Sequence, residues 1–297
     1  MLNPNLQKVL LPLGTSILFA GSFIAGKFTT ADLSPIVTTW LRYLITLIFL
    51  SGWFMISMRS AFKIKLSDLG ILSLLGLFGV VGYHYFFFLS LRYTEVANSA
   101  IINATNPIIT ALTAAIFLQE RLTAKNYIGG ILAFLGVLTL LTRGNFKNLL
   151  ELQFNIGDGF MLLAVLSWVI YALILKKLSG RYTGFSLSYY AALSGVIILS
   201  SLVLTQIEDV TSQLSQMSQA SLLSVAYMGI GASGLGYLQY ALSVTKIGPT
   251  KTASFVYSFV PLFVALLAFL FFQEAITLIM ITSMILIIAG VNLMLSS

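Results

Sequence analysis

The sequence predicts an all-α integral membrane protein of ten transmembrane helices, built as two inverted five-helix repeats. Three observations carry that prediction. Hydrophobic residues form 58% of the chain and charged residues 8%, with a mean hydropathy of +0.98, values foreign to an ordinary soluble domain. Apolar runs of about 20 residues, enough for a helix to cross a bilayer core of roughly 30 Å, follow one another from end to end. Finally, the stretch from Gly82 to Gly136 returns at Gly236 to Gly290, displaced by 154 positions without a gap.

The runs lie at about 9–28, 36–57, 69–91, 97–118, 124–142, 157–177, 185–205, 219–243, 248–271 and 276–295. Their length, and the lack of period-two alternation, mark them as helices rather than barrel strands. The first is too long, and too interrupted by polar residues, for a cleaved signal peptide. With the N-terminus inside, eleven Lys and Arg residues fall on the cytoplasmic side and four outside, namely Lys27, Arg92, Arg143 and Lys147. That asymmetry predicts both termini in the cytoplasm of a cell inner membrane. The net charge of +7 resides in short connections with no aromatic-interleaved basic patch, so the expected partners are the bilayer and a small molecule, not nucleic acid. Disulfides, thiolate metal sites and cysteine nucleophiles are excluded because there is no cysteine.

The polar stretch from Thr142 to Asp158 divides the chain into a first repeat (1–143), a connecting loop (144–156) and a second repeat (157–297). Glu208 to Gln219 is expected to be an external loop. Across the repeat, Tyr83 matches Tyr237, Pro107 matches Pro261, and Gln119-Glu120 matches Gln273-Glu274. The front of each half aligns at an offset of 149, which pairs Phe19 with Trp168 and Lys27 with Lys176. Five spans per half would invert the second copy. Inverted repeats suit a carrier, because they place the site near the midplane and let access alternate between two faces.

Several patterns are shared with a known group: Pro35-x6-Arg42 opening span two, Asn106-Pro107 in span four, and Gln-Glu-x-x-Thr before spans five and ten. In their order and spacing the chain resembles the drug/metabolite transporter superfamily, and within it the EamA family of ten-span exporters of aromatic amino acids and other metabolites. The resemblance covers essentially the whole chain. It implies a central cavity enclosed by spans one to four and six to nine, with spans five and ten at the periphery, where they offer a homodimer surface. Family substrates include amino acids, their derivatives and amphiphilic drugs.

No carboxylate lies deep within a span, since all nine acidic residues sit at helix ends or in loops. Proton antiport on a buried carboxylate therefore has nothing to run on, and catalytic constellations, ATP-binding motifs and cofactor sites are equally missing. Polar and aromatic side chains are the remaining candidates. Ser99, Asn103, Asn106 and Thr110 are spaced to form one polar face of span four, suited either to substrate or to interhelical packing. Tyr83 and Phe87 share a face of span three, Trp168 and Tyr171 one of span six, and Phe19 and Ser22 one of span one. Tyr237 and Tyr257 are the repeat mates of Tyr83 and Asn103, and Ser258 follows Tyr257. Aromatic rings can stack on a planar ligand or simply pack together.

His84 is the sole histidine, a proton carrier or a hydrogen-bonded structural residue. Arg42 offers either a fork for a substrate carboxylate or a snorkelling headgroup contact, and the resemblance favours a structural or gating role. Glu120 and Glu274 precede helix N-termini, a structural placement. Pro107 and Pro261 are expected to bend their helices, and the glycines around Gly236 make span eight the expected flexing element. The expected substrate-binding set is Ser22, Tyr83, His84, Phe87, Asn103, Asn106, Trp168, Tyr171, Tyr237, Tyr257 and Ser258. Together these features predict a secondary or facilitative exporter of small amphiphilic or aromatic metabolites. A membrane scaffold without transport, and an intramembrane enzyme, are the alternatives.

Overall fold

The computed structural model describes residues 4–57, 64–93, 102–103, 105–117, 119, 123–142, 144–145, 147, 156–205, 207–272 and 277–295, and every regular element among them is helical. Ser99, Glu120 and Glu274 lie outside the described residues. The first half comprises α1 (Pro4–Asp32), α2 (Pro35–Ser57), α3 (Leu69–Gly76), α4 (Tyr83–Tyr93), α5 (Asn106–Phe117) and α6 (Ala124–Leu141). The second comprises α7 (Ile156–Leu178), α8 (Gly184–Leu204), α9 (Ile207–Ser215), α10 (Gln219–Tyr227), α11 (Tyr237–Ile247), α12 (Pro249–Phe272) and α13 (Leu278–Leu295). Among the described residues, six helical stretches are long and apolar enough to cross a membrane, and Asn106–Phe117 and Ile281–Leu293 form shorter apolar helices. Polarity is arranged inside out. Ile48, Ile116, Leu223, Leu270 and Ile285 are exposed, while Arg42, Asn106, Thr110 and Ser283 are buried.

Local chemistry sets the helix ends. Pro35 opens α2, where its fixed φ suits a first helical residue and its missing N–H has no partner to lose. Thr183 and Ser218 cap α8 and α10, accepting from the Ser186 and Ser221 amides at 3.1 and 3.2 Å. Gly248, at φ +85°, ends α11, and Pro249 starts α12 immediately after it.

The apolar helical stretches Leu66–Ser90 and Gln219–Ile247 are not continuous α-helices. Leu77–Gly82 joins α3 to α4 as a π-helical segment, and Met228–Gly236 joins α10 to α11 in the same way. Both segments end on the repeat mates Gly82 and Gly236. Ahead of them the repeat runs at 153 rather than 154, as Gly76 and Gly229 reveal. A Cβ on Gly76 would lie 2.8 Å from the Ala191 carbonyl oxygen, and one on Gly229 would lie 2.8 Å from that of Arg42. Arg42 and Ala191 are themselves separated by 149 positions. Equivalent glycines thus press on equivalent carbonyls, one from each half.

The outermost pair obeys the same rule. Gly136 packs on Ile287, and Gly290 packs on Ala133. A shift of 154 residues converts one contact into the other, as in an isologous interface. Helices α6 and α13 therefore bury one face against each other and leave Ile128, Ile131, Ile281 and Ile285 outward.

Two expectations are corrected. The stretch from Glu208 to Gln219 contains α9, a helix whose Val210 is buried and whose Glu208 and Asp209 lie in the first turn, where the helix dipole favours negative charge. Pro107 does not bend a helix: it sits in the first turn of α5, after a turn in which the Thr105 amide bonds the Ile102 carbonyl. Pro261, its mate, does lie inside a helix.

Polar latches tie the halves together near the two ends of α2, which its 23 residues hold about 35 Å apart. At one end, Asp32 accepts from the Ser218 amide (3.1 Å) and hydroxyl (2.6 Å) and from the Ser221 hydroxyl (2.5 Å). At the other, Asp68 accepts from the Tyr182 hydroxyl at 2.7 Å and pairs with Arg181 at 3.3 Å. Asp32 and Arg181 are repeat equivalents at offset 149, as are Asp68 and Ser221 at offset 153.

Two outcomes check this description. Gly290→Val should destabilise the protein by about 1–3 kcal/mol in detergent unfolding, because a Cβ there would lie 2.6 Å from the Gly129 carbonyl oxygen and backbone cannot rotate away. The Asp32 carboxyl is held below its ordinary value of 3.8 by the Ser218 and Ser221 hydrogen bonds. Its contribution is therefore complete above that value and disappears as pH falls through the lowered one. After correction for intrinsic rates, hydrogen exchange at Ser218 should be flat from pH 8 to about 5 in the wild type and faster throughout in Asp32→Ala.

Candidate functional site

Between the halves lies a cavity with about 420 Å³ of space free of protein atoms, its mouth included. It is lined from α1 by Phe19, Ser22 and Phe23, from α2 by Arg42, and from α4 by Tyr83, His84 and Phe87. The second half supplies Trp168 from α7, Tyr237 from α11, and Tyr257 and Val260 from α12. Among the described residues, none of α6 or α13 takes part in this lining.

Trp168 is the centre of the aromatic wall. Its ring lies 4.9 Å from Tyr83, 5.8 Å from Phe19, 5.1 Å from Tyr237 and 6.3 Å from Tyr257. Most of these pairs are edge-on or tilted, the geometry that opposed ring edges and faces favour. The indole N–H donates to the Tyr240 hydroxyl at 3.0 Å, which fixes the ring without using any group that faces the cavity. Tyr83 and Phe87 stack at 5.9 Å with planes 9° apart, so their four-residue spacing gives one flat surface.

The polar part of the lining is Arg42, Ser22 and His84. Arg42 Nε donates to the Ser233 hydroxyl, and Nη1 donates to the Ser22 hydroxyl at 3.0 Å and lies 3.7 Å from the Met228 sulfur. Its side chain does not snorkel; the residue is 3% exposed. His84 Nδ1 lies 3.1 Å from the Val80 carbonyl oxygen, so it carries the hydrogen and donates it there. The His84 ring packs edge-on against Tyr43 at 5.2 Å.

Seven of the eleven expected binding residues line the cavity: Ser22, Tyr83, His84, Phe87, Trp168, Tyr237 and Tyr257. Four do not. Tyr171 is fully buried behind Trp168 at 5.2 Å, against Gly79. Asn106 is also fully buried, its amide oxygen accepting from the Thr110 hydroxyl at 3.0 Å. Asn103 is 5% exposed, with Oδ1 buried and unbonded among the described residues. Ser258 is buried one position, and so about 100° of helix rotation, away from Tyr257. Phe23 had not been anticipated, although it shares the i, i+4 face of Phe19 that pointed to span one.

A largely aromatic chamber within a membrane-spanning bundle, lined by both halves of a duplicated chain, belongs to the build of a multi-pass membrane transporter. The EamA-like transporter family pattern matches twice, over residues 6–142 and 155–296, and the chain belongs to that family. The uncharacterized transporter YyaM of Bacillus subtilis (strain 168) is 28% identical over 272 residues, covering 89% of this chain and 86% of YyaM. A probable amino-acid metabolite efflux pump of Salmonella typhimurium is 28% identical over 228 residues, 73% of this chain and 71% of the pump. A solved crystal structure shares the fold, with a TM-score of 0.73 at 16% identity over 96% of this chain and 95% of that one.

Tyr240→Phe should leave the buried Trp168 N–H without an acceptor and cost about 1–3 kcal/mol, read as a lowered unfolding midpoint in detergent.

Proposed function

We propose that this transporter is a secondary or facilitative carrier that exports small amphiphilic or aromatic metabolites, such as amino acids and their derivatives or drugs, by alternating access. Ten spans in two inverted repeats, with both termini in the cytoplasm of the cell inner membrane, complete the reading. The observation that carries it is the aromatic chamber built from both halves and set between two latches. Each latch joins elements of opposite halves, and each occupies the place of the other's repeat equivalent. Opening one while the other stays shut would expose the chamber to one side only, which is what alternating access requires.

The π-helical segments support the same reading. A span with an extra residue in one turn bends and re-forms more readily than a straight α-helix, and both segments lie directly beside the chamber. Aromatic walls favour planar or apolar cargo. The relative from Salmonella typhimurium, by its name, points to amino-acid metabolites.

Reconstitution tests the reading. Proteoliposomes loaded with aromatic amino acids and amphiphilic drugs should release at least one class faster than protein-free vesicles. Trp168→Ala should cut that flux by about tenfold or more, through loss of the central ring and the contacts it organises. If no compound leaves faster than from empty vesicles, the carrier reading fails. Flux that ignores an imposed pH gradient would remove His84 as a proton carrier while leaving export in place.

A further inference from the structure

Resting on the carrier reading above, we infer that the transported molecule bears a carboxylate, and that Arg42 is the group that binds it. The reason is an uncompensated charge. Arg42, a cationic side chain, lies seven residues into α2, in a span and buried. A cation so placed is expensive unless something neutralises it. Among the described residues the one ion pair is Arg181 with Asp68, and no acidic side chain lines the cavity. The partners of Arg42 are two hydroxyls, a thioether and the Tyr43 ring, whose centroid lies 5.9 Å from the guanidinium carbon, and none of them carries a negative charge.

Geometry adds to this. The two hydroxyls hold Nε and Nη1, whereas Nη2 has no partner among the described residues, and Arg42 borders the cavity. The fork is thus fixed from behind, by α1 and by the second π-helical segment, and keeps donors free for an anion. Such a preset fork loses little entropy on binding a carboxylate.

The duplication separates packing from function. Ala191 holds the equivalent place in the other half, and its carbonyl receives the same glycine contact as that of Arg42. The fold can therefore make this contact without a charged side chain. What the arginine adds is local to the chamber, on whose other walls Phe19, Tyr83, Trp168 and Tyr257 are aromatic and uncharged. The matching ligand is an amphiphilic monocarboxylate, an aromatic group joined by a short chain to an acid. With no acidic side chain in the lining, a substrate amine is not required.

Titration of the full-length protein in detergent tests the inference. In a Trp40→Phe, Trp53→Phe background, Trp168 is the remaining tryptophan, and excitation at the red edge of indole absorption, where tyrosine does not absorb, reads it alone. 3-Phenylpropionate should bind at least about tenfold tighter than its neutral amide, and phenethylammonium weaker still. Arg42→Gln should abolish the difference, and Arg42→Lys should keep part of it as a point charge. Equal binding of acid and amide, binding of neither, or a preference that survives Arg42→Gln would each overturn the assignment. Should Arg42→Gln fail to fold, the wild-type acid and amide comparison still decides. Vesicle flux separates the two readings. Amide carried as fast as acid sinks the carboxylate while transport stands, whereas binding with the predicted preference but no flux sinks transport and leaves the site.

Discussion

Backbone groups inside a bilayer have no water to bond, and this constraint organises the whole molecule around its two broken spans. A π-helical segment disturbs the regular ladder, and carbonyls left over must find donors from elsewhere in the protein. The Tyr237 hydroxyl donates to the Gly79 carbonyl at 2.6 Å, from the second half into the broken span of the first. Thr46 reaches the Gly229 carbonyl at 2.8 Å and Thr15 the Gly236 carbonyl at 3.5 Å, from the first half into the broken span of the second. Each half thus supplies donors to the other's interruption, while His84 adds one within its own half at the Val80 carbonyl. The interleaving of the halves, and the chamber that results, follow from that mutual need.

Tyr237 shows how closely structure and candidate site are joined. Its hydroxyl holds Gly79 while its ring lines the cavity and meets Trp168 edge-on. A glycine is needed at position 79 because the Tyr171 ring lies against its Cα. Tyr171 in turn is excluded from the cavity by Trp168. Wall, second layer and broken backbone thus form one packed unit, in which the rings that would meet a ligand are held by the groups that repair the helix.

Much of this was legible in the chain. The duplication, the apolar spans and the shared faces of Tyr83 with Phe87 and of Phe19 with Ser22 all rest on local periodicity, and local periodicity is what an α-helix preserves. The failures have the same root. Ser99, Asn103, Asn106 and Thr110 form a single face only if span four is one uninterrupted helix, yet α5 begins at Asn106 after a turn, and the Asn106 amide bonds Thr110 instead of facing the chamber. The π-helical segments were unforeseen because an extra residue per turn leaves no mark in composition. The change of offset from 154 to 153 between the two copies was the available trace of it. Arg42 could be read either way from sequence, since burial against snorkelling depends on Ser22 and Ser233, distant in the chain.

The paired latches carry a consequence of their own. They occupy equivalent places, but their chemistry differs: Asp32 is held by hydroxyls and an amide, whereas Asp68 meets a tyrosine and an arginine whose side chain is 62% exposed. Dissolved ions screen a pair in which one charge, that of Arg181, is exposed and leave short hydrogen bonds to a carboxylate largely untouched. Ionic strength would accordingly weaken one end of the molecule and spare the other. A fold that is nearly symmetric by descent thereby acquires a polarity, and in a carrier of the proposed kind that polarity would act as a rectifier, biasing which door opens first.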